Sequence, residues 1–391
     1  MDQEKEVALE NRIVSRFVRR LTSGLIIFIS VYVLSLMLAK AVLMMNLDKL
    51  QILFSGTLNK ESLQGMSGLF KLAGILMNST MFNTITADGK MLKLGFIPLM
   101  ILPMLGIIIA NYGFYKKRPS FKTQAFEYTT ISGVYLVLSL IISGLIQMKD
   151  ANFNSISVSN MIFSFILMTF LQYIIGTFFE KKSRKSQASK AFDLYTTVLM
   201  LVMALGIFAL SFKIFGLKEL YFGFLVLLNG IAYGMLFVAG VPLEYSILGD
   251  RGALTFFHVL FQDSFLKLIA FPWYMKVGAA LLVFAYAMFL FVIIGRVLRR
   301  GKWAGVMVFT FMVSAFYFVL SYSSGLMIGN ASVLTQDVSI QFGSSPLLAV
   351  LIPAVTCLIL SFLQLILIKV TAEFDEDEEE YEDYEDEEEG R

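Results

Sequence analysis

Residues that carry chemistry are scarce in this chain of 391 residues, which has one cysteine, one histidine, two tryptophans and seven prolines. A lone cysteine, Cys357, excludes an internal disulfide and any cysteine-built metal site. A lone histidine, His258, leaves Cys–His pairs, Ser–His–Asp triads and His-rich zinc sites short of members. Charge is thin as well: 16% of residues are charged, against roughly 25% in ordinary globular domains. The chain has no phosphate loop ending in Gly-Lys-Ser/Thr, no Gly-x-Ser-x-Gly elbow and no His-Glu-x-x-His pair. These absences predict a protein that is not an enzyme and holds no cofactor and no metal.

What is present is apolar. Hydrophobic residues make up 57% of the chain, with 37 Phe and 21 Met. Apolar runs of about 20 residues, the length that crosses about 30 Å of hydrocarbon, recur from end to end. The pattern predicts an all-α polytopic integral membrane protein. A membrane β-barrel would alternate in short segments instead.

The net charge of +2 conceals an asymmetry. Fourteen of the 30 acidic residues follow Thr371, where Arg391 is the only basic one, so the rest of the chain holds 31 basic and 16 acidic residues. That basic excess clusters beside apolar runs, as in cytoplasmic loops. With no soluble domain to display it, it does not predict nucleic-acid binding. The expected division is a basic amphipathic cytoplasmic segment over 1–21, a transmembrane body over 22–370 and an acidic tail over 371–391. Like charges repel in that tail, so it is expected to be disordered and cytoplasmic, free to meet a basic partner.

Nine runs stand out: Leu25–Met45, Leu94–Phe114, Tyr128–Met148, Met161–Phe179, Leu194–Phe215, Leu220–Leu243, Val277–Leu298, Trp303–Ile328 and Leu347–Ile368. The first is too long for a cleavable signal core and reads as a signal anchor. Between it and the second, residues 46–93 form an outer segment, in which Leu63–Met81 has the spacing of an interface-lying helix. Basic residues at Lys116–Lys122, Lys181–Lys185 and Arg296–Lys302 mark cytoplasmic connections. With nine runs, one crossing is missing between Leu243 and Val277.

The preferred repair makes Ala253–Tyr274 a tenth transmembrane helix, with both termini cytoplasmic in a bacterial plasma membrane. The alternative is nine, with that segment on the surface and run five or six re-entrant. An internal duplication is also legible in hydropathy, because Leu254–Lys369 repeats the order of segments in Leu63–Glu180. Duplicated halves are common in transporters.

The candidate pathway residues follow from the missing crossing. His258, Gln262, Asp263 and Lys267 would enter the bilayer, where ionisable groups are rare and usually functional. Asn229 and Tyr233, one helical turn apart in run six, could line a polar cavity. Two readings of function result. One is a permease-like protein moving a small solute, an ion or a lipid, proton-coupled through the His258/Asp263 segment. The other is a non-catalytic scaffold or regulatory subunit that binds membrane lipids or partner proteins. Any coupling to ATP would need a separate ATPase subunit.

Overall fold

The structure, a computed structural model, describes residues 2–44, 65–82, 85–87, 90–94, 100–115, 121–145, 158–179, 186–215, 220–247, 250–262, 264–265, 269–270, 272–332 and 337–389. Helices dominate: α1 (Asp2–Met44), α2 (Gly65–Phe82), α3 (Ile101–Tyr115), α4 (Phe121–Leu145), α5 (Val158–Phe179), α6 (Gln187–Phe215), α7 (Leu220–Val238), α8 (Phe256–Phe261), α9 (Trp273–Ser324) and α10 (Pro346–Glu389). Helix α9 is two arms, because Lys302 has non-helical dihedrals with φ +52. Among the described residues seven helices are long and apolar enough to cross a membrane: α1, α4, α5, α6, both arms of α9, and α10. The class expected from composition, a helical multi-pass membrane protein, agrees with these helices.

The strands were not foreseen. β1 (Ile85–Ala87), β2 (Lys90–Leu94), β3 (Leu243–Ile247), β4 (Asp250–Leu254), β7 (Leu326–Ser332) and β8 (Asp337–Gly343) form an antiparallel sheet in the order β1-β2-β7-β8-β3-β4. A separate two-stranded pair joins β5 (Ser264–Phe265) to β6 (Ile269–Ala270). The six-stranded sheet draws three distant hairpins together, β2 pairing with β7 and β3 with β8. In β3–β4 the Tyr245 ring lies across from Gly252, where a Cβ would fall 2.6 Å from the tyrosine oxygen. Glycine is required there by the ring above it.

Strands β1–β4, β7 and β8 therefore share one face of the bundle. Helices α1 and α4 run side by side in the same direction, since Arg20 meets Glu127, Gly24 sits on Ile131 and Val134, and Phe28 meets Tyr135. Helix α3 runs opposite to them, from Gly106 against Ile27 down to Asn111, which bonds Gln172 near Tyr128. Helix α5 runs antiparallel to α4, and the two arms of α9 turn back on each other at Lys302, away from the sheet.

The seven candidate spans among the described residues fall short of the expected ten. The tenth helix expected over Ala253–Tyr274 does not form: the described residues there give the end of β4, the six-residue α8 and the short strands β5 and β6. Six residues of helix span about 9 Å, far short of a bilayer. Helix α10 runs on into the acidic stretch, to Glu389; Glu is a good helix former and extends a helix already nucleated. The helix expected over Leu63–Met81 is present as α2, but Leu72, Ala73, Leu76 and Met77 are buried, so one face packs into the bundle.

Two cores fill the body. One joins α1, α3, α4 and α5 around Ile27, Tyr128, Tyr135 and Leu171; the other joins α6, α7, α9 and α10 around Phe192, Leu290, Phe309 and Cys357. The second arm of α9, Lys302–Ser324, serves both: Phe318 and Tyr322 face the first core, Val313 and Tyr317 the second. Some 67% of that arm's apolar window is buried, against 22% for the first arm and for α10. It is the central helix, and the others shield it.

Candidate functional site

The central arm is apolar by composition but carries a line of hydroxyls. Thr310, Ser314, Tyr317, Ser321 and Ser324 are spaced four, three, four and three residues apart, and all are buried. That spacing keeps them on one helix face. Fourteen residues of helix span about 21 Å, most of a hydrocarbon thickness.

Each step of this seam has neighbours. Thr310 lies against the Cys357 thiol of α10. The Tyr317 hydroxyl meets those of Tyr195 on α6 at 2.8 Å and Tyr286 on the first arm at 3.3 Å, and the latter two are 3.0 Å apart. A hydroxyl gives one donor and two acceptor sites, so three can close a ring in which each donates once. Nearer the sheet, Ser344 Oγ donates to Ser321 Oγ at 2.7 Å, and Ser321 Oγ donates to the Ser344 carbonyl at 3.0 Å. Ser314 and Ser323, both buried, have no hydrogen-bond partner among the described residues.

The expected pathway residues divide into two groups. Asn229 and Tyr233 lie on α7 and do reach the seam. The Tyr233 hydroxyl donates to the Ser324 carbonyl, one of the acceptors that a helix C-terminus leaves open. Asn229 bonds the same hydroxyl from one turn away, and the Tyr233 ring packs edge-on against Phe342 of β8 at 4.8 Å. His258 and Gln262 do not reach the seam. His258 lies in α8 and Gln262 caps its end, after the edge strand β4. His258 Nδ1 is 2.6 Å from Thr255 Oγ, the helix N-cap, and Gln262 is exposed at the C-cap. Asp263 and Lys267 lie outside the described residues. The set His258, Gln262, Asp263 and Lys267 thus has no described member inside the bundle.

A second polar cluster, unforeseen in the sequence, occupies the first core. Glu127 of α4 is 3% exposed, within an apolar window, and faces two arginines of α1. Arg20 Nη2 donates to Glu127 Oε1 at 3.2 Å; Arg20 Nε and Arg19 Nη2 approach Oε2 at 3.1 and 3.3 Å. The Arg20 guanidinium also lies 4.4 Å from the centre of the Phe126 ring. One turn further in, Gln172 Nε2 donates to Ser132 Oγ at 2.9 Å and to the Tyr128 carbonyl at 3.1 Å, while its Oε1 accepts from Asn111. The signal was present: Glu127 is the one carboxylate between Asp88 and Asp150. It stands at the edge of its run, where it passes for a loop residue.

Chemically, the seam offers neutral donors and acceptors, and the Arg–Glu cluster a charge-compensated lock between helices. Among the described residues no three His, Cys, Asp or Glu side chains are grouped so as to hold a metal ion. No protein-family model, curated protein or solved structure matches the chain.

Proposed function

We propose that this is a permease-like membrane protein that passes a small, uncharged polar solute along the hydroxyl seam of the central arm. The observation that carries this reading is the line Thr310–Ser314–Tyr317–Ser321–Ser324 on the most buried span, with Ser314 lacking a hydrogen-bond partner among the described residues. A buried hydroxyl without a partner costs about 1–3 kcal/mol. A water molecule or a solute hydroxyl that enters the seam recovers that loss. No charged side chain belongs to the seam, so a neutral solute fits better than an ion. Proton coupling through His258 forms no part of the reading, because His258 sits beside the sheet and apart from the seam.

The basic residues orient the molecule. Arg296, Arg299, Arg300 and Lys302 at the turn of α9 are exposed, and Arg19 and Arg20 lie at the same end. By the positive-inside rule that face is cytoplasmic and the sheet lies outside. In a Cys357→Ala background, Glu244→Cys should then react with an impermeant thiol reagent from outside intact cells, and Lys302→Cys only after lysis.

Function is tested in vesicles. Liposomes containing the protein should swell faster than empty ones in iso-osmotic glycerol or urea, and Ser314→Leu should abolish the difference. Swelling equal to that of empty liposomes, from protein shown to be folded, would remove the permease reading. The sheet itself favours a second reading, a non-catalytic scaffold, since three distant segments build one outer platform with edge strands at β1 and β4. That reading expects a stable co-purifying partner and no solute flux.

A further inference from the structure

We propose that α8 and the start of α9 form a lipid-interface anchor that fastens the β4 edge of the sheet to the outer surface of the bilayer. Four aromatic side chains stand exposed here: Phe257 (67%), Phe261 (79%), Trp273 (74%) and Tyr274 (62%). They are ordered among themselves. The Phe257 and Phe261 rings stack at 6.3 Å with 7° between planes, and Trp273 meets Tyr274 edge-on at 6.3 Å. The spacing of 257 and 261 puts both rings on one face of α8, while Val259 is buried on the other.

The occupant follows from what the patch continues. Trp273 is the first residue of a 28-residue apolar span whose exposed stripe runs through Val277, Leu281, Phe284, Met288 and Val292. That stripe faces acyl chains if the arm crosses a bilayer, and the Trp273/Tyr274 pair is its end. Trp and Tyr favour the headgroup level because one side of each ring is apolar and the other polar. A short amphipathic helix lying in that plane buries its apolar face to about 5–10 Å. The polar side of α8 is already tied back, since Thr255 caps the helix and holds His258. Residue Leu254, the last of β4, precedes that cap directly, so sheet and lipid are coupled through one residue.

The two tryptophans make the test direct, because Trp273 and Trp303 begin the opposite ends of the two arms. With Trp303→Phe, Trp273 is the sole fluorophore in phosphatidylcholine vesicles. Lipids brominated near the headgroup should quench it at least about twofold more than lipids brominated near the chain end, with aqueous iodide quenching weakly. In a Trp273→Phe, Trp303→Phe background, Phe261→Trp should behave the same way. Strong iodide quenching of Phe261→Trp would place the patch in water and overturn the proposal. Fluorescence insensitive to both iodide and brominated lipid would mean that a second copy or another protein covers the patch, and would overturn it equally.

Discussion

Replacing Glu127 should destabilise the first core more than any other single polar substitution in the chain. Its carboxylate side chain is 4% exposed and faces Arg20, 11% exposed, through contacts of 3.1 and 3.2 Å. Glu127→Ala leaves the Arg20 guanidinium buried between α1 and α4 with no anion. Losing one partner of a buried pair costs about 3–5 kcal/mol, because the remaining charge stays desolvated. Arg19, 49% exposed, can turn to water and adds little. Glu127→Gln keeps the shape and one acceptor, so a smaller loss of about 1.5–3 kcal/mol is expected, the worth of a charge-assisted hydrogen bond. The assay is a reversible denaturant titration in mixed micelles, following reaction of the buried Cys357 thiol as the helices separate. The Arg20→Leu, Glu127→Leu double variant should recover most of the loss, since a buried ion pair and an apolar pair of similar volume are often near parity. A loss below about 1 kcal/mol for Glu127→Ala would refute the claim that the pair is desolvated.

Three further outcomes are expected. Gly24→Leu should separate α1 from α4, because a Cβ there would already fall 2.7 Å from Val134 and 3.3 Å from the Ile131 carbonyl; the loss of about 1–3 kcal/mol typical of overpacking should appear in the same titration. Lys302→Gly should stabilise by up to about 1 kcal/mol, since φ +52 is strained for lysine and open to glycine; a loss of stability would show that the lysine side chain matters more than the backbone. Tyr317→Phe opens the tyrosine ring of hydroxyls and should cost about 1 kcal/mol while changing solute-driven vesicle swelling; unchanged swelling would detach the ring from the conduction path.

The helical body was legible because a run of about 20 apolar residues has few other fates. The sheet was not, because strand pairing is non-local. Leu243 ended an apolar run and Asp250-Arg251 read as a charged loop, and nothing near them shows that Phe342 and Gly343 pair opposite. With 243–254 read as a charged connector rather than as strands, the bookkeeping of positive loops created the demand for a tenth crossing. The demand in turn drew His258 and Asp263 into the bilayer as the preferred site. Asn229 and Tyr233 drew notice because amide and phenol stand out in an apolar run. The hydroxyls at 310, 314, 317, 321 and 324 were readable at a period of 3.5 residues, but serine and threonine are common in membrane helices and their alignment acquires meaning only once the second arm of α9 is known to be central. Glu127 was hidden by its place at the end of a run, and only the approach of α1 buries it.

Whether water reaches the seam is decided most directly by thiol accessibility at Ser314. In a Cys357→Ala background, Ser314→Cys in proteoliposomes should react with a small, water-borne methanethiosulfonate reagent, and glycerol should slow the reaction. If Ser314→Cys stays unreactive while Glu244→Cys on the exposed sheet reacts fully, the central arm is dry and the solute path does not exist.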